Sequence, residues 1–247
     1  MRTRNLLCIL MGALSLVHAH AQTAAPQATP PPLGPGPLIA KAPASSQWLM
    51  SRKAGLADRT MLADPQTKYD QRTLVTITRP IRREIVADSA GGKTEIWYSA
   101  GVQGTYTAGQ RDPVITISGA NPTAHGVYND YSKTDFPGFE WITRHNYTGV
   151  QMMQGIPCIV FHDGPVDVTS TAPVNPNAPL PIPQTGSTAY IASDSRLPIL
   201  LQTDDGFTVY QWDQPPSSPL SLPAAIQQSI NTFQTRTQAA AAPAAIP

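Results

Sequence analysis

From Leu74 onward the chain is a succession of short apolar runs that alternate with polar residues and stop at turn formers. Leu74-Val-Thr-Ile-Thr78 alternates with period two, the spacing that turns one face of a strand inward. Arg83 to Ala87 follows Pro80, and Thr94 to Tyr98 returns after Ser89-Ala-Gly-Gly-Lys93. This pair predicts a β-hairpin, because Gly91 and Gly92 tolerate the positive φ of tight turns. Further strands are expected at Val102–Thr107, Val114–Ser118, Phe139–Thr143, Tyr147–Met153, Ile156–His162, Ala189–Ser193, Pro198–Thr203 and Phe207–Trp212. Connections this short join antiparallel neighbours, since a parallel pair needs a crossover of about a dozen residues or more.

Helical patterns are few. Ser221 and Pro223 form a start signal, and Ile226, Ile230 and Phe233 then recur on one stripe. A short N-terminal helix is expected over Ser45 to Gly55, with Trp48 and Leu49 facing inward. Tyr128 to Phe136 reads as a loop or a single turn. The predicted class is mainly β (α+β): a curved antiparallel sheet or half-barrel, a C-terminal amphipathic helix and the short N-terminal one.

The ends read differently. Arg2 and Arg4 precede an apolar run from Leu6 to Val17, and Ala19-His20-Ala21 has small residues where a signal peptidase reads. Residues 1–21 are therefore expected to be a signal peptide cut between Ala21 and Gln22, which predicts export to the periplasm or beyond. The run is shorter than the roughly 20 residues a membrane span needs, and no later segment qualifies, so no transmembrane segment is expected in the mature chain. Residues 22–43 are rich in Pro, Ala, Gln and Thr and read as a disordered linker. A single domain is expected over 44–236, with a Pro-rich surface loop at 165–183, and 237–247 as a frayed tail.

Composition narrows the chemistry. Hydrophobic residues make up 41% of the 247, enough to build a core. Charged residues are only 13%, with 17 Lys+Arg against 16 Asp+Glu, so the clustered basic surface of a nucleic-acid binder is missing. Loss of residues 1–21 takes away Arg2, Arg4 and no acid, which turns the formal charge from +1 to −1. Cys8 leaves too, so Cys158 is the only remaining thiol. It lies in the apolar Ile156-Pro-Cys-Ile-Val-Phe161 and reads as a small core residue.

Familiar catalytic signatures are absent. Gly92-Lys93-Thr94 resembles the end of a phosphate loop, but Ala87 stands where its first Gly belongs. The chain has no Gly-x-Gly-x-x-Gly, Gly-x-Ser-x-Gly or His-Glu-x-x-His. Asp204-Asp205-Gly206 lacks the further acids of a calcium loop and reads as a hairpin turn. No metal or cofactor is expected. His162 with Asp163 and Asp167 is the densest polar cluster, and a Ser or Thr nucleophile beside it would suit a hydrolase. The plainer reading is a strand end running into the turn at Asp163-Gly164.

The second half carries a recognisable order: Tyr147-Thr-Gly-Val, Gly155-Ile-Pro-Cys-Ile-Val-Phe161, Ala189-Tyr-Ile-Ala-Ser, Arg196-Leu-Pro-Ile, Asp205-Gly-Phe, Val209-Tyr-Gln-Trp212 and Leu220-Ser-Leu-Pro223. Over roughly residues 72–232 this resembles the strand series of the periplasmic lipoprotein-carrier (LolA/LolB-like) superfamily. The resemblance implies a half-open antiparallel barrel, plugged by helices, whose apolar concavity shelters acyl chains. It implies no catalytic residue. The expected partners are a lipid or a lipoprotein acyl group, held by an apolar wall of Ile77, Ile96, Tyr98, Val150, Met152, Ile191, Leu200 and Val209. The alternatives are a concavity filled by its own helices, as in a ligand-free interaction or scaffold domain, and the hydrolase built on His162.

Overall fold

The computed structural model describes residues 31–117, 131, 134–164, 182, 183 and 185–241. Two up-and-down series of strands build one sheet. The first is β1 (Ser45–Ala54), β2 (Gln71–Thr78), β3 (Ile81–Asp88), β4 (Lys93–Ser99), β5 (Val102–Thr107) and β6 (Val114–Ile117). The second is β7 (Tyr147–Met153), β8 (Ile156–Asp163), β9 (Ser187–Ala192), β10 (Pro198–Thr203) and β11 (Gly206–Asp213). Every neighbouring pair is antiparallel. The series join where β1 pairs with β11, from Gln47↔Asp213 to Ala54↔Gly206. The eleven-stranded order is β6-β5-β4-β3-β2-β1-β11-β10-β9-β8-β7, so the sheet stays open, with β6 and β7 outermost. The mainly antiparallel β class with a C-terminal helix is the one the pattern predicts.

Strand alternation sorts side chains onto two faces. One carries Trp48, Val75, Ile77, Phe161, Ile191 and Tyr210, and Phe136 and Phe139 pack onto it. We call this the strap face, after the irregular segment 134–143 that crosses it. The other, the helix face, holds two clusters. Tyr190, Val160, Leu200, Phe207 and Val209 pack with Leu62 of α1 (Arg59–Ala63). Trp97 and Val102 pack with Ile226 and Ile230 of α2 (Ala224–Ala241). Among the described residues no helix is long and apolar enough to cross a membrane.

Several expectations need correction. Ser45 to Gly55 is not a helix: it is the whole of β1 and the glycine that follows. Its alternation puts Ser46, Trp48 and Met50 on one face, whereas the adjacent Trp48 and Leu49 alone suggest a helical face. The short helix lies later, at Arg59–Ala63, where Asp58 caps it by accepting the Met61 N–H at 2.7 Å. Phe139–Thr143 is not a strand. It pairs with no strand among the described residues and buries Phe139 against Tyr210. The linker expected over 22–43 is anchored in its described part: Ala42 is buried, its N–H donates to Asp135, and the Ala40 N–H donates to the Arg196 carbonyl. Helix α2 runs on to Ala241 through the alanines read as a tail, which is what alanine's high helix propensity favours. Most of the Pro-rich loop at 165–183 lies outside the described residues, as do residues 1–30, but Ile182 is buried against the α1 cluster.

The β3–β4 turn forms as expected. The Asp88 carboxylate accepts the Ala90 and Gly92 N–H groups, and Gly91 takes φ +88°. Helix α2 rests on bare backbone at Gly104, where a Cβ would lie 2.4 Å from Ile226 Cδ1. Ile226 is thus the peg that seats the helix. Ile226→Ala should cost about 2–5 kcal/mol through the cavity it leaves, read as a lower urea midpoint in the full chain.

Candidate functional site

The eight residues expected to form one apolar wall do not share a wall. Ile77 and Ile191 belong to the strap-face cluster. Ile96 and Tyr98 follow on the same face by register, opposite Glu84 and Arg82. Leu200 and Val209 lie on the helix face, inside the α1 cluster. Val150 and Met152 sit on the outermost strand β7 and are 46% and 50% exposed. Sequence alternation marks that a residue faces inward, but a sheet covered on both sides has two inward directions.

The strap face is filled along its centre by rings. Trp48 meets Trp212 at 4.9 Å and Phe136 at 5.5 Å between centroids, and Phe136 meets Tyr210 edge-on at 6.3 Å. Toward β3 and β4 the face turns ionic. Arg82 Nε donates to Glu84 Oε1 at 2.7 Å, and Arg82 Nη1 donates to the Asp135 carbonyl at 3.1 Å. The Tyr131 hydroxyl donates to the same Glu84 oxygen at 2.8 Å, while its ring lies 3.7 Å from the guanidinium carbon of Arg82. Arg79 pairs with the Asp135 carboxylate at 2.7 Å, which also accepts the Ala42 N–H. Two buried acids and two arginines therefore tie the strap to the N-terminal segment and to β3. No sequence pattern announced this network. Arg82 and Glu84 stand at alternate positions of a strand whose other face carries charge as well, so they read as solvent residues.

Beyond the rings, at the far end of β1, β2, β10 and β11, the strap face keeps a half-enclosed recess of about 350 Å³. Met50, Leu201 and Tyr210 line it with apolar surface, and Pro137 of the strap forms a further wall. Gly138 brings the strap down onto Leu201, whose Cδ2 would stand 3.2 Å from a Cβ there. Arg52, Gln71, Thr73, Thr203 and Thr208 add polar groups. Register orders the gradient: Gln71, Arg52 and Thr208 form one row, and Thr73, Met50 and Tyr210 form the next row toward the rings. On the helix face a wider groove of about 700 Å³ runs under the 213–221 connector, over the row Gln47, Thr76, Arg83 and Trp97. The polar groups of that row are engaged. The Thr76 hydroxyl donates to Gln47, Gln47 to Asp213, and Arg83 pairs with Glu95.

His162 does meet a hydroxyl: its Nδ1 lies 3.0 Å from Thr188 Oγ1. Thr188 is fully buried, however, and the two are directly opposed on β8 and β9, so the pair is a cross-strand contact sealed from substrate. Asp163, the next residue on the strand, is exposed and has the opposite alternation, and Asp167 lies outside the described residues. Cys158 is buried and unpaired by disulfide. Burial pushes its thiol up to about 11, so a nucleophilic thiolate is disfavoured at neutral pH.

The same burial acts on the tyrosines. Tyr190 is pushed up to about 12, and Tyr131, desolvated and facing the Glu84 carboxylate, is raised further, as is Tyr210 by burial. The unfolded chain loses these protons from about pH 9 for the thiol and pH 10 for the phenols, while the folded chain keeps them. Above those values the unfolded state binds fewer protons, so stability is complete below about pH 9 and falls as pH rises. Denaturation midpoints from pH 7 to 11 should show that decline, with a shallower alkaline slope in Tyr131→Phe. Glu84→Gln strands Arg82 without its counter-charge and should cost about 3–5 kcal/mol at pH 7, read in the same assay.

No protein-family model matches this chain, and no curated protein sequence matches it.

Proposed function

We infer that this is an exported, non-catalytic binding protein of the cell envelope that takes an acyl chain of a lipid or lipoprotein into the strap-face recess. The observation that carries the reading is the recess itself, a half-enclosed concavity with Met50, Leu201 and Tyr210 below a polar row. Its volume falls at the lower end of the roughly 300–1,000 Å³ typical of ligand pockets. Each methylene drawn from water onto such surface gains roughly 0.8 kcal/mol. The open antiparallel sheet supports the likeness to lipoprotein carriers drawn from the strand order. The site that serves the chain is narrower than the continuous wall of that likeness, because Phe136 and Phe139 already occupy the middle of the face.

That occupancy favours a second reading, a ligand-free interaction domain in which the strap completes the core. One titration separates them. Delipidated full chain should bind a dansylated fatty acid saturably, with the fluorescence rise of an apolar site. Thr208→Trp, which plants an indole at the recess mouth, should weaken binding at least about tenfold, the loss of about 1.4 kcal/mol. A wild-type chain that shows no saturable rise is the interaction domain instead.

A further inference from the structure

We propose that Arg52 makes the recess selective for acyl ligands with an anionic head, a carboxylate or a phosphate. The inference rests on the acyl reading above and deepens it. Arg52 lines the recess from β1, flanked across the sheet by Gln71 and Thr208. Its guanidinium pairs with no carboxylate among the described residues, whereas Arg79, Arg82 and Arg83 each have one. The acids around this row bond backbone N–H groups and form no ion pair with Arg52: Asp88, paired with Gln71 across the sheet, accepts the Ala90 and Gly92 N–H. Asp70 accepts the Ala54 N–H at 2.7 Å, Asp204 accepts the Gly186 N–H at 3.1 Å, and Glu140 accepts the Gly138 N–H at 2.8 Å.

Arg52 thus offers a guanidinium with no carboxylate partner among the described residues, in a polar row that is the next same-face row outward from Met50 and Tyr210. An amphiphile whose chain lies on Met50 and Leu201 would bring its head to this row. A guanidinium presents a planar fork of donors that matches a carboxylate or phosphate edge with two parallel hydrogen bonds. Gln71 and Thr208 offer further donors beside it. A neutral head, such as a hydroxyl, gains none of the charge term. Because Arg52 is exposed, that term is modest and screened by salt.

The test is competition for the dansylated fatty acid on the full chain at pH 8, by laurate, lauryl phosphate and lauryl alcohol. The expected result is that the anions displace the probe at about three- to tenfold lower concentration than the alcohol, with the gap narrowing in 0.5 M salt. In Arg52→Gln the gap should close, and the probe, whose own carboxylate meets the same guanidinium, should bind more weakly. Arg52→Lys should keep the preference for phosphate and lose more of it for carboxylate, where the fork matters most. The order of laurate and lauryl phosphate on the wild type tells a fatty-acid head from a phospholipid head. Equal displacement by alcohol and anions, or a preference that survives in Arg52→Gln, overturns the role of Arg52 and leaves acyl binding standing. A probe that never binds the wild type overturns both.

Discussion

The pairing of β1 with β11 is the constraint on which the rest depends. Each meander is made of local hairpins, cheap to close because their loops are short. Each has one helix over its helix face, but the strap-face core draws on both. The register from Gln47↔Asp213 to Ala54↔Gly206 merges them and places Trp48 opposite Trp212 and Met50 opposite Tyr210. A slip of one residue would send those side chains to the helix face. Gly206 helps hold the register: a Cβ there would lie 2.4 Å from the Lys53 carbonyl oxygen, so the two backbones meet at a position only glycine fits.

Merging the meanders in this order leaves β6 and β7 at opposite ends. Those ends stand about ten strand spacings of roughly 4.8 Å apart if the sheet lay flat. Between β6 and β7, residues 134–143 cross the strap face and supply Phe136 and Phe139 to the aromatic core. The ionic cluster is the anchor of that crossing. Asp135 reaches Arg79 and the Ala42 N–H, and its carbonyl holds Arg82. Apolar packing alone would let an irregular segment slide; directional, desolvated charge pairs fix where it lies.

The recess follows from the same geometry. The strap crosses the rings and leaves the outer rows of β1, β2, β10 and β11 beside it uncovered, with Pro137 as a wall. On the opposite face α1 and α2 each seal one half, and the buried row His162, Thr188 and Gln202 is satisfied by Thr188 itself, the Ala57 N–H and the Pro183 carbonyl, save for His162 Nε2, which has no partner among the described residues. Polar groups sealed in this way serve the fold. A polar row beside an open apolar hollow is free to serve a ligand.

Much of the fold is legible in the sequence because strand periodicity and turn chemistry are local. The hairpins from Leu74 to Thr107 and from Tyr147 to Trp212, their antiparallel sense and the Ile226–Ile230 stripe are all carried by neighbours in the chain. Ser45 to Gly55 reads as a helix because Trp48 and Leu49 are both apolar and adjacent in sequence, whereas the strand buries Trp48 in the strap-face core and leaves Leu49 half-buried on the other face. The strap, the Arg82–Glu84–Tyr131 cluster and the placement of Arg52 beside Met50 and Tyr210 had no such signal. They join residues far apart along the chain, and a charged residue on a strand looks the same whether water or a crossing segment lies above it. Local alternation determined which residues turn away from solvent; the β1–β11 pairing and the return of the chain across the sheet decided what each of them meets there.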